Sequence, residues 1–132
     1  MVRVVRFTQM FIRLAGLTLL ILGVLIWTGN GSSLMNAHAT LGGLLVLALW
    51  VLAALGARAG ISWALVVRAV IWGIVALLFG ILHPRMMVGA MHWVIQSLHL
   101  VVGLVTIGVG EIVAAAIRRR GLVPATAVGT IS

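Results

Sequence analysis

Two histidines stand out in a chain that offers little else with which to do chemistry. His38 begins the run His38-Ala39-Thr40-Leu41-Gly42, and His99 begins His99-Leu100-Val101-Val102-Gly103. Each is followed four residues on by glycine, fifteen and sixteen residues on by paired alanines, and twenty residues on by an arginine, Arg58 or Arg119. With a helical rise of about 1.5 Å per residue, each imidazole lies about 30 Å from its arginine, so both sit at one level. Neutral imidazole is a common metal ligand, and an imidazole inside an apolar segment is costly unless something compensates it. Two rings at one depth on separate helices can take opposite faces of a planar metal-bearing macrocycle, the bis-histidine arrangement of haem b. The expected axial ligands are therefore His38 and His99, with Gly42 and Gly103 leaving room for the macrocycle.

The remaining polar residues offer weaker chemistry. His92 lies one heptad before His99, on the same face and about 10.5 Å further along. It is a rival for the ligand role, a ligand to a second cofactor, a contact for a haem propionate or quinone head-group, or simply an interfacial histidine beside Trp93. His83 precedes Pro84 and reads as a solvated loop residue. Arg85 is either a partner for outward-pointing propionates or a loop charge. Glu111, the one acid, falls inside an apolar run and needs a cation, for which Arg68 is the expected partner; a proton-carrying acid is the alternative. About 18 Å along the helix from His99, Glu111 is too far to share a metal with it. No serine, histidine and acid are spaced to build a triad. The absence of cysteine removes disulfides, thiolate catalysis, iron–sulfur ligation and thioether-linked haem. Trp27 and Trp93 suit one membrane interface and Trp63 the other, while Trp50 and Trp72 fall deeper, where they could edge a cofactor.

The elements that position these residues follow from composition. With 132 residues, a mean hydropathy of +1.32 and only 8% charged residues, the chain carries more apolar surface than a soluble domain of its size can bury. Lipid is then the solvent. The formal charge of +8 comes from nine arginines against Glu111, but the arginines stand at the ends of apolar runs. That is a topogenic pattern, and it excludes nucleic acid as a partner. The spacing predicts helices at about 7–28, 34–57, 61–82 and 88–117: an all-α, integral membrane four-helix bundle. Residues 1–120 form a single transmembrane domain and 121–132 a flexible cytoplasmic tail. The first span is read as a helix rather than a signal peptide, because the small-x-small site at Ala37-His38-Ala39 lies too far past the apolar core. Arg13 is expected to snorkel to the interface. Ser33 or Asn36 is expected to cap the second helix, Arg58-Ala59-Gly60 to end it, and Ser62 to stand near the cap of the third. Arginines crowd the side that holds both termini, and Arg85 alone lies opposite, so the termini face the cytoplasm of a bacterial plasma membrane. The 61-residue offset between the histidine runs predicts two pseudo-symmetric helical hairpins.

In this design the chain resembles the small four-helix b-type cytochromes that anchor succinate dehydrogenases or serve formate dehydrogenases and hydrogenases. That resemblance implies haem clasped by histidines of separate helices. The chain is also similar to small uncharacterised bacterial membrane proteins, through His92-Trp93-Val94-Ile95-Gln96-Ser97-Leu98-His99-Leu100 and, in part, the segment around His38. The leading expectation is a b-type cytochrome relaying electrons near the outer leaflet, with membrane lipid and a quinone as partners. The alternatives are a non-catalytic subunit of a larger respiratory or photosynthetic complex, and a small transporter working as a homodimer around Glu111.

Overall fold

In the computed structural model, which describes residues 1–29, 31–82, 85–86 and 89–121, long helices alternate in direction along the chain. Among these residues there are four α-helices: α1 (Val2–Trp27), α2 (Met35–Arg58), α3 (Trp63–Leu82) and α4 (His92–Gly121), with a short 3-10 turn at Ser32–Leu34. The most apolar window of each has a mean hydropathy between 2.2 and 2.5, and each is long enough to cross a membrane. Residues 122–132, expected as a tail, and His83 lie outside the described residues.

The turns explain where the helices stop. At the end of α2 the N–H of Ile61 donates to the carbonyl of Gly56 (3.1 Å) and that of Gly60 to Ala57 (3.1 Å). Gly60 has a φ of +70°. This is a Schellman closure, which needs a residue free to enter the left-handed region and usually brings an apolar contact with it. Here Ile61 supplies the contact: a β-carbon on Gly56 would stand 2.6 Å from its Cδ1. Ile61 therefore belongs to the turn, and α3 starts two residues later than expected, over the carbonyl of Ser62. Gly29, with φ +79°, follows α1 in the same conformation.

Other helix boundaries also differ from the sequence expectation. No glycine or proline interrupts residues 1–7, so α1 extends back to Val2 and takes in Arg3 and Arg6; the arginines mark a polar level, not a helix end. No side chain caps α2, because Leu34 occupies its N-cap position and the 3-10 turn leads straight in. The last helix starts at His92, after a turn through Gly89 at φ +102°, and continues through Arg118, Arg119 and Arg120.

Each helix packs on its sequence neighbour, α1 closes on α4, and α2 meets α4 across the diagonal. Among the described residues no Cα of α1 comes within 8 Å of one of α3, so α2 and α4 are the central pair. The core lies toward the arginine-rich end, around Val5, Ile12, Leu49, Leu52, Val113 and Ile117. Ala53 and Ala114, at matching distances from the two histidines, are both essentially fully buried there. The exterior is apolar: only 17–33% of each helix's most apolar window is buried, leaving Leu17, Leu47, Ile71 and Leu104 among many exposed hydrophobics. Such a surface is far larger than the apolar patches of water-soluble monomers.

Candidate functional site: a glycine-lined cavity between two histidines

Beyond the packed core the bundle opens into a cavity of about 450 Å³, bordered by all four helices. That volume is within the usual range of about 300–1,000 Å³ for cofactor and ligand sites. His38 of α2 and His99 of α4 both line it, with ring centroids 6.0 Å apart and planes inclined at 47°. Nδ1 of each ring is buried.

A glycine of a neighbouring helix lies beside each ring. A β-carbon on Gly23 of α1 would lie 3.5 Å from Cε1 of His38, and one on Gly80 of α3 would lie 3.7 Å from Cε1 of His99. Each imidazole therefore lies against a bare stretch of the helix that precedes its own. Phe79 stacks on His99, centroids 6.0 Å apart and planes 10° apart, an offset parallel arrangement that holds that ring's plane. Gly42, Gly43 and Gly103 also line the cavity, and a β-carbon at any of the three would meet nothing within 4 Å. Their missing side chains leave space beside the histidines.

The donor set narrows the metal chemistry. Among the described residues no three His, Cys, Asp or Glu side chains converge. Two imidazoles on separate helices would suit a macrocycle that brings its own equatorial donors. His38 and His99 would hold such a group, and it would supply one-electron chemistry there. The nearness of the two rings, the apolar walls and the glycine-made space fit it.

The other sequence candidates lie elsewhere. His92 is the first residue of α4, its Nδ1 3.1 Å from the carbonyl oxygen of Met86, and it does not border the cavity. Arg85 is exposed in the connection before α4 and likewise does not border it. Trp50 donates to the carbonyl of Val70 (3.3 Å) and Trp72 to Oγ1 of Thr106 (3.0 Å), so these indoles tie α3 to its neighbours. Gly23, Phe79, Gly80 and Gln96 border or support the site without having been singled out for it; the two glycines precede their histidines by different distances, so the repeat does not reveal them.

Glu111 corrects the expected pairing. Its partner is Arg13, not Arg68: the guanidinium forks onto the carboxylate, Nε to Oε1 at 2.6 Å and an Nη to Oε2 at 2.8 Å. Gln9 donates to the same carboxylate and accepts from Arg118. Glu111 faces α1, while Arg68 is exposed on α3. Arg13 thus reaches across to α4 rather than along its own helix to the interface.

Comparison with family models, with curated proteins and with solved structures gives no match to this chain.

Proposed function

We propose that this protein is an integral membrane electron carrier of the b-type cytochrome class, holding haem b between α2 and α4 through His38 and His99. The observation that carries this reading is the 6.0 Å separation of the two rings across an apolar, glycine-lined cavity. When bound, haem supplies one-electron chemistry, and the chain supplies ligands, orientation and a sheath of low polarity. Gly23 and Gly80 let the imidazoles rest on neighbouring backbone, and Phe79 fixes the plane of the His99 ring. Leu20, Val24, Leu77 and Leu104 give the cavity apolar walls. The same reading treats the chain as two related hairpins, each offering one histidine against a glycine of its first helix. It sets the arginine-rich end in the cytoplasm and the histidine end toward the outer leaflet.

Glu111 is engaged by Arg13 and Gln9, which suits a clamp between α1 and α4 better than an ion-carrying role. The test is a reduced-minus-oxidised spectrum with haem quantitation on protein expressed with ample haem. Low-spin bands are expected in wild type and in His92→Ala, and their loss in His38→Ala and His99→Ala. A colourless wild-type protein ends the cytochrome reading; copurification of that colourless protein with a large membrane complex would make it an accessory subunit.

A further inference from the structure

A second recess lies at the arginine-rich end, between the start of α3 and the last turns of α4. It is an open groove of about 510 Å³ bordered by Arg119, Arg120 and Ser62 at the helix ends and by Leu65, Ile112 and Ala115 further along. Its charge is unbalanced. Glu111 is the only acidic side chain in the sequence, and it is committed to Arg13 and Gln9. No second side-chain carboxylate exists to neutralise Arg119 or Arg120. The positive pole at the start of α3 and the negative pole at the end of α4 both border the groove, so the two guanidinium groups set its charge. The groove thus joins two guanidinium groups at a helix end to an apolar wall one to two turns deeper.

We propose that this groove binds an anionic glycerophospholipid, its phosphate between Arg119 and Arg120 and one acyl chain along Leu65, Ile112 and Ala115. Guanidinium groups bind phosphate oxygens in pairs through parallel N–H donors, which a choline head-group beside the phosphate would oppose by its own positive charge. Basic recesses between membrane helices on the cytoplasmic side have the chemistry to select such lipids. The inference rests on the membrane part of the proposed function and is independent of haem.

The test is lipid retention by the detergent-purified full chain, read by native mass spectrometry with equimolar phosphatidylglycerol and phosphatidylcholine. Retention of phosphatidylglycerol about tenfold over phosphatidylcholine is expected, equivalent to about 1.4 kcal/mol of preference. The pair Arg119→Gln and Arg120→Gln should bring the two lipids to parity. Ala115→Leu, which fills the apolar wall and leaves both arginines, should weaken retention of both lipids. Helical circular dichroism confirms that each variant is folded. Equal retention by wild type overturns the proposal, as does an undiminished preference in the double variant or full displacement of the lipid by inorganic phosphate. Release of the protein from membranes by alkaline carbonate without detergent would overturn the membrane reading itself, a failure distinct from lost lipid selectivity in an integral protein.

Discussion

The packed core and the space beside the histidines use the same residue type in opposite ways. In the packed part glycine permits contact: Gly56 receives Ile61, Gly73 receives the indole of Trp50, a β-carbon on Gly110 would stand 3.1 Å from Cδ1 of Ile12, and at the inner edge of the cavity Gly16 receives Ile107. Beside the histidines Gly42, Gly43 and Gly103 face open space. What a glycine does in this fold is decided by the neighbour across from it. The packed core holds the four helices together, and the glycine-lined cavity leaves space beside the two histidines.

Substitutions can break that contrast, beginning in the packed core. Leu49 has no exposed surface, and Leu49→Ala should cost about 2–5 kcal/mol of stability in detergent unfolding, the usual range for an unfilled core cavity. A much smaller loss would mean that the packed core is loose. Gly73→Ala should cost about 1–3 kcal/mol, because the new methyl meets the Trp50 ring and the indole has to shift. Trp72→Phe removes a hydrogen bond to Thr106, whose hydroxyl still donates to the carbonyl of Val102 at 2.7 Å. A loss of about 0.5–1.5 kcal/mol follows, measured the same way.

The smallest effect belongs to the space beside the histidines and has the opposite sign. Gly42→Ala and Gly103→Ala place a methyl in open space, and the better helix propensity of alanine should stabilise the haem-free protein by up to about 1 kcal/mol. If either were as damaging as Gly73→Ala, the distinction between the two regions would be gone. Gly42→Leu sharpens it further, since a bulky side chain there should leave the helices intact while abolishing the haem bands.

Hydropathy made the helices legible, because each apolar run is long and bounded by arginine, glycine or both. The turn after α2 was legible too, since Gly60 carries the backbone conformation that closes it. The rotation of each helix about its axis was not. Helices that are apolar on every side show no amphipathic stripe, so the inward face cannot be read from periodicity. For that reason Glu111 was assigned to Arg68 when it turns to Arg13, and the supporting roles of Gly23, Phe79 and Gly80 went unseen. The common depth of His38 and His99 was legible because matched distances to arginine fix that coordinate, which hydropathy does encode. Whether two residues at one depth also share an azimuth is settled only by packing.

The fork between Arg13 and Glu111 joins residues 98 positions apart, on the first and last helices. A contact of that reach ties the opening segment of the chain to its final one, so removing either charge should loosen the seam between α1 and α4 while leaving each helix intact.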